Sequence, residues 1–212
     1  MPDQLVFDFP VRPALGREDF VVTPANDMAL AALDTWPDWP MPGFVLTGPK
    51  GAGKSHLAAV FADDHGAATT ALQNVPNVND GPLVLEWDGE AFDEEALFHL
   101  LNRRKANNAP LLICARTAPK RWPVSLPDLR SRLATFGVLE IGLPDDALLG
   151  ALFLKHFADK QLQVDSGVVD FLTKRVKRSF DAVATVAKKL DELSLHEARA
   201  ITIPLARKAL EG

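Results

Sequence analysis

Residues Gly48 to Ser55 read Gly-Pro-Lys-Gly-Ala-Gly-Lys-Ser, a complete G-x-x-x-x-G-K-[ST] segment. Before it runs Phe44-Val45-Leu46-Thr47, apolar enough for a buried strand. After it runs His56-Leu57-Ala58-Ala59-Val60-Phe61, which suits a helix. A strand, a glycine-rich turn and a helix in this order form a phosphate-binding loop. Gly48, Gly51 and Gly53 let the chain turn tightly and bring N–H groups against phosphate oxygens. Pro49, Lys50 and Ala52 fill the open positions of the loop. The helix N-terminus adds favourable partial charge. Lys54 is placed to reach β- and γ-phosphates, and Ser55 to hold Mg²⁺. This feature calls for an α/β fold with strands in parallel.

From residue 44 onward the pattern alternates strand and helix. Strands are expected at 44–47, 67–72, 82–86, 110–115 and 137–141, and helices at 54–64, 93–107 and 127–134. After Gly142-Leu143-Pro144 the segments 145–160, 166–176, 179–194 and 203–211 carry helical spacing only. The expected organisation is a tail over 1–13, an α/β nucleotide domain over 14–144 and a helical lid over 145–212. Pro24 to Leu33 reads as a helix with an early proline. Pro37, Pro40 and Pro42 form a connector holding Trp36 and Trp39.

The 212 residues allow one large domain or one domain with a small companion. Lys and Arg number 23 against 28 Asp and Glu, a net charge of −5, which argues against a strong non-specific nucleic-acid binder. The basic runs Arg103-Arg104-Lys105 and Lys174-Arg175-Val176-Lys177-Arg178 read as solvated helix faces or local basic patches. Cys114 lies in the run Leu111-Leu112-Ile113-Cys114 and is expected to be a buried, inert thiol. No signal peptide opens the chain and no stretch reaches spanning length, so a cytoplasmic protein without a membrane segment is expected.

A phosphate loop needs a carboxylate for Mg²⁺ at the end of a neighbouring strand. Glu86 after Leu83-Val84-Leu85 is the good candidate. The next position, where a second carboxylate would orient the attacking water, holds Trp87. Asp88 faces the same way as Glu86 if the strand continues. The same residues also read as the end of a strand and nothing more. In Leu126-Pro127-Asp128-Leu129-Arg130-Ser131-Arg132-Leu133, an exposed arginine could reach a γ-phosphate on a neighbouring subunit; solvated arginines are the alternative. Arg178 precedes Ser179-Phe180-Asp181 and is open to two readings, a lid contact to nucleotide or surface charge.

The ordered set of Phe20-Val21-Val22 with Ala25-Asn26, the phosphate loop followed by His56-Leu57, Leu126 to Leu133, and Arg178-Ser179-Phe180 carries a family resemblance. The chain resembles, over nearly its whole length, the AAA+ domain of the bacterial replication initiator DnaA. Within that family it is most similar to the Hda-type regulators of alphaproteobacteria. The resemblance implies an AAA+ fold, a five-stranded parallel sheet flanked by helices with a small all-α lid. It implies ADP or ATP, with Mg²⁺, as cofactors. Phe20, Val21 and Asn26 would lie around the adenine. Gly48 to Ser55 would hold the phosphates, and His56 and Arg178, the lid arginine, count among the nucleotide-binding residues. Glu86 and Ser55 would face the metal, and Arg132 would be an arginine finger acting on a partner.

Gln4-Leu5-Val6-Phe7-Asp8-Phe9 is similar to the peptide with which such regulators dock on the DNA polymerase sliding clamp, the β subunit. Gln4 would meet the pocket rim and Leu5, Phe7 and Phe9 an apolar groove; packing of the tail on its own domain is the alternative. The implied partners are the clamp and DnaA, with self-association also implied. The implied activity is to promote hydrolysis of DnaA-bound ATP, switching the initiator off and preventing over-replication. The chain stops at Gly212, where the lid is expected to end, so no sequence-specific DNA reading is expected. Trp87, and Arg116-Thr117 in place of a polar sensor, weaken the expectation of fast turnover in this chain's own site. The rival reading is a DnaA-like or loader-type ATPase acting on DNA or a helicase. A small-molecule phosphotransferase ranks last, and a pure adaptor would need the tail but not Arg132.

Overall fold

Apolar runs of four or five residues can be buried on both faces only when helices cover a sheet from both sides. The tertiary structure, a computed structural model, describes residues 17, 20–40, 42–75 and 81–211. It contains strands β1 (Gly43–Thr47), β2 (Ala68–Ala71), β3 (Leu83–Glu86), β4 (Leu111–Ala115) and β5 (Gly137–Glu140). They form one parallel sheet in the order β2-β3-β4-β1-β5. The expected tail over 1–13 lies outside the described residues.

Helices α1 (Asp27–Leu33) and α2 (Lys54–His65) cover one face, and α3 (Glu94–Ala106) and α4 (Pro127–Leu133) the other. On the first face Leu46, Val84, Leu112 and Cys114 pack under Leu33, Leu57, Val60 and Phe61. On the second, Val45, Leu83, Leu85 and Ile113 pack under Leu97, Leu100, Leu101, Leu129 and Leu133. Each of these buried side chains contributes about 1.5–3 kcal/mol relative to exposure. Trp39 of the proline connector belongs to the first core, stacked on Phe61 at 4.8 Å.

Two sequence expectations change. The first helix begins at Asp27, three residues later than the proline pattern implied. Thr23 to Asn26 form a turn in which Thr23 O accepts from both Asn26 N and Asp27 N. The run Arg103-Arg104-Lys105 is not a uniformly solvated face. Arg104 is only 1 % exposed, and its guanidinium donates to Ala109 O, Pro110 O and Gly81 O. The turn after α3 and the entry to β3 thereby share one buried cation.

Beyond β5 the chain is all helix: α5 (Asp146–Asp159), α6 (Ser166–Thr173), α7 (Phe180–His196) and α8 (Ile203–Glu211). They enclose a separate core that includes Leu149, Phe153, Phe157, Leu172, Val183, Leu190, Leu205 and Ala206. Side chains cap three of them: Asp145 accepts from Leu148 N, Asp165 from Gly167 N and Ser179 from Ala182 N. α3 is capped in the same way by Asp93. No helix among the described residues is long and apolar enough to cross a membrane.

Candidate functional site

Because β1 lies between β4 and β5, the loop that follows it opens at the sheet's carboxyl edge with a strand on either side, where open α/β sheets bind ligands. Gly53, in left-handed backbone, precedes α2, and no side chain caps that helix. α3, α5, α6 and α7 have capping side chains; α2 has none, an N-terminus of the kind suited to an anion. Lys54 is half-buried, and its ammonium donates to Gly48 O at 2.7 Å and Pro49 O at 2.8 Å. Burial lowers its pKa, opposed by Cys114 and assisted by the nearby positive charge of Arg116. Arg116 is exposed and follows β4 directly, so a second cation stands at the phosphate end.

Alternation along β3 decides what its end can do. Val84 belongs to the core on the α2 side, and Leu83, Leu85 and Trp87 to the core on the α3 side. Glu86 therefore faces the loop side, half-buried and in register with Cys114. Burial pushes the Cys114 thiol up, Glu86 adds to the shift and Lys54 opposes it. Trp87 turns the other way. It is 7 % exposed, lies 4.5 Å from Trp122 and donates its ring N–H to Glu90 O at 2.7 Å. The strand ends at Glu86, and Asp88 accepts from Glu90 N within a turn. The condition for Asp88 to share Glu86's direction is not met. Among the described residues no group of three or more His, Cys, Asp or Glu could hold a metal. Ser55 is exposed at the start of α2.

Phe20 is buried in the α2-side core, edge-on to His56 at 5.2 Å, and Val21 packs against the helical core of α5–α8. Asn26, 2 % exposed, holds this segment: its side-chain oxygen accepts from Thr23 N and its amide donates to Val21 O. The start of α7 sits on the phosphate loop, with Phe180 N donating to Gly51 O at 2.9 Å. A Cβ on Gly51 would stand 2.6 Å from Ser179 Cβ, and one on Gly53 2.9 Å from the Phe180 ring. Sequence reading missed this contact, because nothing local to 48–55 signals a partner about 130 residues away. Arg178, just before it, is exposed and tied to Asp146 at 2.6 Å and Pro144 O at 3.1 Å. Its guanidinium joins α7 to the start of α5.

On α4 the two arginines differ. Arg130 donates to Val124 O. Arg132 is half-buried, and its side chain has no hydrogen bond or ion pair among the described residues. Gln4, Leu5, Phe7 and Phe9 lie outside the described residues.

A phosphate loop after β1, a carboxylate at the end of β3 two strands away and a helical lid seated on the loop define a P-loop protein of the AAA+ class. Residues 146–210 match the family model for the Hda lid domain. An uncharacterized protein of Haemophilus influenzae is 30 % identical, covering 82 % of this chain and 83 % of its own length. Domain III of Thermotoga maritima DnaA superposes with a TM-score of 0.77 at 16 % identity, covering 96 % of this chain and 98 % of its own. The RuvB branch migration motor of T. maritima gives 0.73 at 19 % identity over 92 % and 71 %. DnaA bound to AMPPCP and single-stranded DNA gives 0.69 at 17 % over 90 % and 70 %. The chain belongs to the Hda- and DnaA-related family of AAA+ proteins.

Proposed function

We propose that this chain is a cytoplasmic replication regulator that promotes hydrolysis of DnaA-bound ATP. The observation that carries the reading is the division on α4: Arg130 is spent on Val124 O, while Arg132 is half-buried yet unpaired among the described residues. An unpaired guanidinium on a short helix can stabilise charge developing on a partner's γ-phosphate. The partner supplies nucleotide and water; this chain supplies the missing positive charge. Residues 1–13 dock on the DNA-loaded clamp through Gln4, Leu5, Phe7 and Phe9.

The chain's own site holds an adenine nucleotide, retained as ADP rather than turned over quickly. A bound nucleotide would supply the phosphates that Gly48 to Ser55, the open N-terminus of α2 and Lys54 are suited to hold. Phe20, Val21 and Asn26, with His56 behind them, form the base side. Ser55 and Glu86 are the protein's groups toward Mg²⁺. Arg178 would reach the nucleotide only by exchanging its bonds to Asp146 and Pro144. Trp87, turned into the core, leaves the site without a second carboxylate at that position, which supports retention over turnover. Neighbouring copies would associate as AAA+ proteins do around such sites.

The test is the fraction of ATP-bound DnaA remaining after incubation with this chain and clamp-loaded DNA. Arg132→Ala should abolish stimulated hydrolysis and leave clamp and nucleotide binding intact. Removal of residues 1–9 should remove the dependence on the clamp. Stimulation that survives Arg132→Ala refutes the finger assignment. Rapid ATP turnover with DNA alone would favour an autonomous DNA-acting ATPase instead.

A further inference from the structure

A finger acts only if the helix that carries it is held still. α4 is seven residues long, begins at Pro127, and its preceding residue Leu126 offers no side-chain cap. Such a helix has little stability of its own. Its entry is gripped from outside. Glu94, in the first turn of α3, accepts from Ser125 N at 2.8 and 3.0 Å and from Leu126 N at 2.7 Å. These are bonds from two consecutive N–H groups to one carboxylate. In a capping box a glutamate of the same helix reaches back to the cap residue's N–H; here α3 provides it from 32 residues earlier. On the other side of the segment Arg130 donates to Val124 O, and its charge also faces Glu94. The three peptide groups that lead into α4 are thus held by one anion and one cation. The hydrogen bonds from Ser125 and Leu126 lower the carboxyl's pKa, so it stays ionised at neutral pH.

We propose that Glu94 is a positioning residue for Arg132: by holding Ser125 and Leu126 it sets the direction of α4 and so the place where the free guanidinium arrives. The proposal rests on the finger reading of Arg132 given above. Arg132 lies six residues beyond Leu126, about 9 Å along the helix axis. A tilt of about 10° at the entry therefore moves the helix by more than 1 Å at Arg132, before the length of the side chain multiplies it. Misplacement of a catalytic group by about 1 Å can cost as much as a hundredfold in rate. Arg130 shares the mounting, which gives the two arginines of α4 different tasks although they are separated by one residue.

The experiment compares Glu94→Ala, Glu94→Gln and Arg132→Ala in the full chain, using clamp-loaded DNA and ATP-bound DnaA. Glu94→Ala should lower the maximal stimulated rate about tenfold. The concentration of this chain giving half-maximal stimulation, its affinity for ADP and its thermal midpoint should stay near the wild-type values. Glu94→Gln should recover part of the rate, because the amide oxygen still accepts an N–H. Wild-type stimulation by Glu94→Ala beside an inactive Arg132→Ala overturns the positioning role alone. Loss of ADP affinity and thermal midpoint in step with the rate overturns it as well, because the residue would then serve the fold generally. Full stimulation by Arg132→Ala overturns the finger reading and, with it, the role of Glu94.

Discussion

Trp87 shows how a single residue sets what the site can do. It occupies the position after Glu86, yet its ring packs with Trp122 and Phe92 on the far side of the sheet. Restoring an acid there does not restore a catalytic carboxylate within reach of the phosphate loop. Trp87→Glu should cost about 3–5 kcal/mol in urea unfolding, the scale of removing a buried aromatic ring, with burial of a charge added to it. Phosphate release by the isolated chain should not rise. A rise would mean that the end of β3 reverses its alternation. Asn26 is a second case in which one side chain shapes the site. Its oxygen accepts from Thr23 N and its amide donates to Val21 O, which fixes the segment that carries Phe20 and Val21.

At the scale of elements, α3 serves both of its ends. Its first turn holds the entry to α4 through Glu94, and its last turn holds the start of β3 and the entry to β4 through Arg104. The acidic first turn and basic last turn also complement the helix dipole. Arg104 satisfies three carbonyls with a planar fork, which an ammonium cannot match. Arg104→Lys should therefore destabilise the α/β part by about 3 kcal/mol in urea, the worth of one or two bonds to a charged group. The stimulated hydrolysis should follow only the folded fraction. If the variant unfolds at the wild-type urea midpoint, the buried fork is not what holds these turns.

Across the whole molecule, the lid and the loop are mechanically joined. Phe180 N bonds Gly51 O, and the side chains of Ser179 and Phe180 occupy the space that only glycine leaves at 51 and 53. Whatever fills the loop is thereby felt by α7, and α7 packs with α5 in the lid core. His156 of α5 gives this unit a pH dependence. Burial lowers its pKa from the ordinary 6.5; Asp159 opposes the shift and Lys155 and Lys160 add to it. A base whose folded pKa is depressed binds its proton more readily when unfolded. Its stabilising effect is complete above pH 6.5 and is lost as pH falls from there through the lowered value. The thermal midpoint should thus drop between pH 7 and pH 5, and His156→Gln should flatten that drop. An unchanged slope in the variant would place the acid sensitivity elsewhere.

The sequence by itself determined the order and type of the elements. Strand runs, glycines, caps and helical spacing are local properties, and the five strands and eight helices all fall within three residues of the expected spans. The loop from Gly48 to Ser55 was legible for the same reason, since its chemistry is contained in eight consecutive residues. Only the tertiary structure decided which side chains meet. That Glu86 and Trp87 part to opposite faces follows from alternation, but which face holds the nucleotide loop depends on the strand order. The burial of Arg104, the seat of Phe180 on Gly53, and the difference between the tied Arg130 and the free Arg132 depend on contacts between residues distant in the chain or on the course of the backbone. Local propensity can fix what each segment becomes; partners are chosen by packing, which no segment contains alone.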